Sequence, residues 1–193
     1  MKQQVSYLDV ATAGLLLAAA VGWSSLLLVV MGHVIPGWAV SAALLLVSLI
    51  FMGVHAVRHR SAAGRAPARR RALPRFVLAL LVAAAGLGSA FGAVSDLTGG
   101  ADYRILRPTG PDGCLAVVRE TSFLKISNGE VYAVGRTGMA WRPSGSWTAD
   151  DMHRPVADGT YELHWSRSGG TFTVSGTATD PIVSSELNSL DCG

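Results

Sequence analysis

The side chains that could do chemistry gather in one stretch, residues 137–155, which does not show the alternating pattern of a strand. Asp150, Asp151 and His153 carry the oxygen and nitrogen atoms that bind divalent metals. Three such residues within four positions, with no fourth ligand beside them, form a weak metal pattern. The sequence therefore predicts no metal site, and we assign the three residues to a candidate binding loop.

Two tryptophans lie in the same stretch, among glycine, proline and serine residues. Long loops between strands often carry function, and tryptophan suits a protein or glycan partner or a bilayer interface. The interpretation that we favour over binding is that both indoles cover the open end of a small core. We expect Trp141 to cover the core and Trp147 to stay exposed. The candidate partner-binding loop thus comprises Trp141, Trp147, Asp150, Asp151 and His153.

Motifs for nucleophilic, zinc-dependent and phosphate chemistry are missing from the sequence. It contains no G-x-S-x-G, no H-E-x-x-H and no G-x-x-x-x-G-K-[ST]. We therefore expect a protein that is not an enzyme, with no catalytic residue and no cofactor. An extracytoplasmic enzyme that uses Asp150, Asp151 and His153 is the least favoured alternative.

The two cysteines, Cys114 and Cys192, both fall in the second half of the chain. A single pair in an oxidising compartment is most simply a disulfide, and no base lies nearby to activate a thiolate. Closing a loop of this length is worth roughly 4 kcal/mol in the chain-entropy model. We predict a structural disulfide between them.

The sequence after Asp96 has the pattern of a small antiparallel β domain, with short apolar runs separated by turn residues. Asn128-Gly129 separates two short apolar runs and predicts a hairpin turn within 127–130. A second hairpin is predicted over 160–175, with Tyr161, Leu163 and Trp165 facing Phe172 and Val174 across the pair. About six strands predict a sandwich or a barrel over residues 98–193, which a short helix within 181–190 closes.

The first half of the chain is apolar enough to cross a membrane three times. No charged residue occurs in the 48 positions 10–57, and a span needs about 20 apolar residues. The turn residues 33–37 divide this run into spans at about 9–31 and 37–57. A third span is predicted at 76–95, which gives a three-helix transmembrane region over 1–97. A cleaved signal peptide in place of the first span is the alternative.

Charge predicts the orientation of these spans. Residues 1–95 carry a net charge of +7 and residues 96–193 a net charge of −4. Seven arginines lie in the loop 58–75, and short loops rich in arginine stay cytoplasmic. We therefore expect a multi-pass protein of the cell membrane, with a cytoplasmic amino terminus and an extracytoplasmic β domain. The loop has no aromatic residue for base stacking, so we expect no nucleic-acid partner.

Small residues recur at four-residue spacing in the predicted spans, which lets helix backbones approach closely within the chain or between copies. These candidate helix-packing residues are Gly14, Ala18, Gly22, Gly88 and Gly92. The sequence favours an integral membrane protein whose β domain binds a protein or cell-envelope partner. The alternative is an accessory subunit of a larger membrane complex that assembles through the helices. Membrane lipid is an expected partner. The same small-residue spacing is compatible with an oligomer of the chain.

Overall fold

The described residues of the first half of the chain form three α-helices. The computed structural model describes residues 7–61, 75–185 and 188–192. The helices are α1 (Tyr7–Gly22), α2 (Gly37–Ser61) and α3 (Arg75–Thr98). Of these, α2 over Gly37–Arg58 and α3 over its full length are long and apolar enough to cross a membrane. The apolar part of α1, Asp9–Gly22, is shorter than a typical span.

Eleven strands are present in the described residues, and every pairing between them is antiparallel. In chain order they are β1 (Leu27–Val30), β2 (His33–Pro36), β3 (Asp102–Ile105), β4 (Leu115–Phe123), β5 (Ile126–Val134), β6 (Met139–Ala140), β7 (Gly145–Ala149), β8 (Tyr161–Ser166), β9 (Gly169–Val174), β10 (Ile182–Ser185) and β11 (Asn188–Leu190).

The first helix ends nine residues earlier than the sequence predicts. Helix α1 stops at Gly22 instead of residue 31, and β1 and β2 form a hairpin before α2 begins. Met31 and Gly32 make the two-residue turn, and both have positive φ angles (51° and 81°), as hairpin turns of this length favour. A short run of Leu and Val suits either a helix or a strand, and here pairing with β6 selects the strand.

The described residues form two compact units, which we call the helical unit and the β unit. The helical unit contains the described residues of 1–24 and 37–92, and the β unit contains those of 25–36 and 93–193. The hairpin between α1 and α2 therefore belongs with the strands. A single boundary near residue 97 does not describe this division.

In the β unit, three sheets form layers around two apolar clusters. The strand orders are β2-β1-β6, β10-β7-β5-β4-β3 and β11-β9-β8. One cluster holds the buried residues Leu106, Ala116, Val118, Val131, Trp147, Val156, Phe172 and Leu190. The other holds Leu27, Val117, Tyr132, Val134 and Ala140. The five-stranded sheet supplies residues to both clusters, so both of its faces are covered, and three consecutive β4 residues, 116–118, are buried.

The predicted Asn-Gly turn is wrong. Phe123 pairs with Ile126, so the turn consists of Leu124 and Lys125, while Gly129 lies inside β5 opposite Trp147. A Cβ atom on Gly129 would overlap the indole of Trp147. The glycine is therefore needed so that the tryptophan ring can cover the backbone, not so that the chain can turn.

The second predicted hairpin is confirmed, and the predicted closing helix is wrong. Strands β8 and β9 pair with Leu163 opposite Phe172 and Tyr161 opposite Val174. In the predicted helical segment the described residues instead form β10, which pairs with β7, and β11, which pairs with β9. Edge pairing to existing sheets supplies hydrogen bonds that an isolated single-turn helix would leave unmade.

Candidate functional site

The two cysteines are joined, as predicted, and they bring the end of the chain next to β4. Cys114 and Cys192 are 78 residues apart in sequence, and their Cα atoms lie 5.9 Å apart. The backbone of Gly135 runs directly beside the bridge, since a Cβ atom there would lie 3.0 Å from the carbonyl oxygen of Cys192. The disulfide thus holds the carboxyl-terminal residues beside β5.

An open groove runs from the disulfide toward Trp141 within the β unit. It consists of two adjoining cavities of about 620 and 550 Å³, which share Ala133, Met139 and Asp191. Arg136 lines the end beside the disulfide, and Trp141 lines the other end. The groove combines apolar and charged walls, and in binding sites a few polar groups among apolar ones fix the orientation of a ligand.

The walls of this groove are held by local contacts. Arg136 forms an ion pair with Asp112 at 2.5 Å and also donates from Nε to the Asp112 carbonyl oxygen at 3.0 Å. Both side chains are exposed, so the pair stays accessible to a ligand. Between two residues that line the groove, the Ala133 amide donates to the hydroxyl of Ser144 at 3.2 Å. Trp141 is 59% exposed at the rim, where an incoming group could stack on the indole.

The two tryptophans have the opposite environments from those expected. Trp147 is only 2% exposed and packs against Phe172, with ring centroids 5.4 Å apart. It belongs to the first apolar cluster, whereas Trp141 lies outside both clusters. Of the two, only Trp141 has a largely exposed side chain.

The polar residues of the predicted binding loop do not converge on a metal. His153 is buried, its Nδ1 lies 2.9 Å from Asp158, and its Nε2 lies 3.2 Å from the hydroxyl of Thr160. Asp150 accepts a hydrogen bond from the backbone of Asp151, and both are exposed. In the part of the chain that the structure describes, no group of three His, Cys, Asp or Glu side chains could hold a metal ion.

The glycines with four-residue spacing lie at contacts between helices of the same chain. Cβ atoms on Gly22 and Gly92 would lie 2.8 Å from the Ser41 hydroxyl and 2.7 Å from Cβ of Trp38. Gly14 faces Ser48 of α2, and the backbones of Gly88 and Gly22 are in direct contact. The spacing therefore serves packing within the helical unit.

Hydrogen bonds reinforce this helix packing. The Ser41 hydroxyl donates to the Ala18 carbonyl oxygen at 2.8 Å, and the Ser89 hydroxyl donates to Ser41 at 2.8 Å. Ser41 and Ala18 are fully buried. One chain of donors and acceptors thus connects α1, α2 and α3, as polar side chains do between helices in a membrane.

A polar network without a local sequence pattern links the last turn of α3 to the central sheet. Arg119 donates to Asp96 at 2.6 Å and to Glu130 at 3.2 Å. Tyr103 donates to Asp96 at 2.8 Å, and Tyr132 donates to Glu130 at 2.9 Å. Burial and the neighbouring carboxylates raise the pKa of both tyrosines, so both phenols stay protonated and continue to donate.

A buried carboxylate holds the loop that follows His153. Glu120 is 2% exposed, and its two oxygens accept the backbone N–H groups of Val156 at 2.9 Å and Ala157 at 3.0 Å. Burial raises the pKa of Glu120, while these two hydrogen bonds oppose that rise. Its role in the described structure is to position this loop.

Comparison of the chain with protein-family models, with curated proteins and with solved structures found no match. Within the β unit, the groove between the disulfide and Trp141 is the strongest candidate site. The sequence indicated three of its lining residues, Trp141 and the disulfide-bonded Cys114 and Cys192. Arg136 and Asp191 carried no signal, because their proximity depends on the disulfide and on strand pairing.

Proposed function

We propose that the protein is an integral membrane protein whose extracytoplasmic β unit binds a protein or cell-envelope partner in the groove between the disulfide and Trp141. Helices α2 and α3 cross the membrane in this proposal, and α1 packs against them within it. The amino terminus and the arginine-rich loop lie in the cytoplasm. The observation that carries the binding role is the exposed Trp141 indole at the rim of an open, mixed-polarity groove.

The chain connections support this orientation. The hairpin that joins α1 to α2 and the chain that follows α3 both belong to the β unit. If α2 and α3 span a membrane, α2 must begin, and α3 must end, on the side of the β unit. The loop that joins them then lies on the opposite face. That loop carries the arginines, and arginine-rich short loops stay in the cytoplasm.

Cysteine labelling in intact cells tests the orientation. A cysteine at Ser168, in the exposed turn between β8 and β9, should react with a membrane-impermeant maleimide from outside. A cysteine at Ala63, in the arginine-rich loop, should react only after the inner face is opened. Labelling of position 63 from outside would overturn the orientation and the extracytoplasmic assignment together.

Photocrosslinking in the native membrane tests the groove. A photoreactive amino acid at Trp141 should give a discrete crosslinked product, while the same group at Ser168 should not. Arg136→Glu should reduce that product, because it reverses the charge at the far end of the groove without touching either apolar cluster. Equal crosslinking from both positions, or none from Trp141, would contradict a specific partner in the groove.

An accessory-subunit role is the second candidate, and one observation favours it. The helical unit has an apolar groove of about 430 Å³ between α1 and α2, lined by residues that include Val10, Leu17 and Val47. Such a groove could receive a helix of another membrane protein. Crosslinks from Leu17, and none from Trp141, would favour this role over binding by the β unit.

A further inference from the structure

The turn between β4 and β5 presents a cluster of large apolar side chains that the described residues of the β unit leave exposed. Phe123 and Ile126 lie directly opposite each other in the strand register, and each is more than half exposed. Leu124, in the turn itself, is 75% exposed. Exposed apolar side chains grouped in this way mark an interaction surface more often than isolated ones do. We call Phe123, Leu124, Lys125 and Ile126 the hairpin tip.

Hydrogen bonds fix the hairpin tip beside the end of α3. The amide of Ser122, the residue before the tip, donates to the carbonyl oxygen of Gly99 at 2.8 Å. Gly99 is the residue that follows α3. Arg154 joins the same two residues, since it donates to the Ser122 hydroxyl at 2.6 Å and to the Gly99 carbonyl oxygen at 3.2 Å. The tip is therefore held at the point where α3 ends.

Two exposed apolar residues shortly precede Gly99 in the chain, and a third is hydrogen-bonded to the tip. Leu97, in the last turn of α3, is 81% exposed, and Val94 one helical turn earlier is more than half exposed. On the other side, the Met152 amide donates to the Lys125 carbonyl oxygen at 3.1 Å, and the Met152 side chain is exposed. Val94, Leu97, Met152 and the hairpin tip all belong to the β unit, and all leave apolar side chains exposed.

We propose that the hairpin tip inserts into the interfacial region of the lipid bilayer, next to the point where α3 leaves the membrane. The hydrogen bond from the Ser122 amide to the carbonyl oxygen of Gly99 joins the tip to the residue that follows α3, which favours lipid over a protein partner. Lys125 complements this site, because a lysine can place its stem among apolar groups and its charge among anionic headgroups. The proposal rests on the proposed membrane crossing of α3.

Spin-label accessibility in vesicles tests this insertion. The full chain is reconstituted in vesicles of phosphatidylcholine and phosphatidylglycerol, and a nitroxide is attached to single cysteines at Leu124, Leu87 or Ser168. The native cysteines are bonded to each other and do not take the label. Leu87 is exposed in the middle of α3 and reports on membrane crossing. Ser168 is the matched control, in the turn of a different hairpin.

The measurement compares collision of each label with oxygen, which concentrates in lipid, and with a water-soluble nickel chelate. We expect the ratio of oxygen to nickel accessibility at Leu124 to exceed that at Ser168 several-fold and to approach that at Leu87. Phe123→Cys serves as a second labelled site and should give the same ratio, since it lies beside Leu124 in the tip.

Three other results would each overturn the insertion. A high ratio at Leu87 with a ratio at Leu124 equal to that at Ser168 means that α3 spans the membrane but the tip stays in water. Low accessibility to both reagents at Leu124 means that protein, such as a second copy of the chain, covers the tip. A low ratio at Leu87 means that α3 does not span the membrane. Binding in the groove would still be tested independently by photocrosslinking from Trp141.

Discussion

Replacing Trp147 by alanine removes the largest side chain of the first apolar cluster. The indole is 2% exposed, packs against Phe172 and covers the backbone of Gly129. Glycine has no side chain that could move into the vacated space. The neighbouring residues belong to two different sheets, so a collapse around the cavity would require the sheets to move toward each other.

The cost follows from this limited relaxation. Truncating a buried tryptophan to alanine typically destabilises a protein by about 3–5 kcal/mol, with larger values where the cavity persists. The urea dependence of unfolding for a small domain is about 1–3 kcal/mol per molar. The urea midpoint of the β unit should therefore fall by at least roughly 1 M. Trp141→Ala should change the free energy of unfolding by only about 0.5 kcal/mol, because that side chain is largely exposed.

Pulse proteolysis of the full chain in mild detergent measures this difference. Each variant is incubated across a urea series and cut briefly with protease, and the remaining intact β unit is quantified. Far-ultraviolet circular dichroism without urea checks that each variant has folded. Trp141→Ala serves as the matched control, because it removes the same side chain from the same segment of the chain.

Equal midpoints for the two variants would refute the assignment of Trp147 to the core. A larger drop for Trp141 would do so as well, and would support the opposite arrangement that the sequence alone suggests. Either result would also remove the explanation for Gly129, which depends on the indole lying over its backbone.

Three further predictions address the disulfide, the buried carboxylate and the helix contact. Cys114→Ser should lower the stability of the β unit by roughly 4 kcal/mol, seen as a lower urea midpoint that the reduced wild-type chain reproduces. Burial raises the pKa of Glu120 in the folded chain above its ordinary value of 4.5, so the folded state keeps the proton to higher pH than the unfolded chain does. The free energy of unfolding therefore falls as the pH rises above 4.5. Glu120→Gln should flatten that fall and, by removing one acceptor, cost about 1–3 kcal/mol, measured as urea midpoints between pH 4.5 and 7. Gly88→Ala should lower the thermal midpoint in detergent because the added Cβ would lie 2.9 Å from the Gly22 backbone, whereas Gly86→Ala, where a Cβ meets nothing within 4 Å, should not.

The local sequence pattern predicted the elements whose residues suit only one type of secondary structure. The second and third apolar runs became α2 and α3 because their length and composition suit a helix alone. The hairpin of β8 and β9 followed from strict alternation of large and polar residues. The run at Leu27–Val30 suits both a helix and a strand, and the pairing with β6 that decides between them comes from a segment more than 100 residues away.

The candidate site was less predictable for the same physical reason. The groove depends on a disulfide that closes 78 residues and on the pairing of short strands, neither of which leaves a local pattern. Trp141 and Trp147 have similar sequence surroundings. Pairing with Gly129 and packing against Phe172, both of which depend on the fold, distinguish the buried Trp147. A glycine inside an apolar run could have been interpreted as a place where an aromatic ring approaches the backbone, but Asn128 before it made a turn the simpler interpretation.

The hairpin of β1 and β2 is part of the β unit although it precedes α2 in the chain. Leu27 is fully buried in the second apolar cluster, where it packs with Val117, Tyr132 and Val134 of the central sheet. A fragment that starts at residue 98 would lack this hairpin and would expose that face of the sheet to water. Since burial of apolar side chains is the main source of stability in a domain this small, residues 25–36 are part of its core. The β unit is therefore assembled from two segments of sequence that the helices α2 and α3 separate.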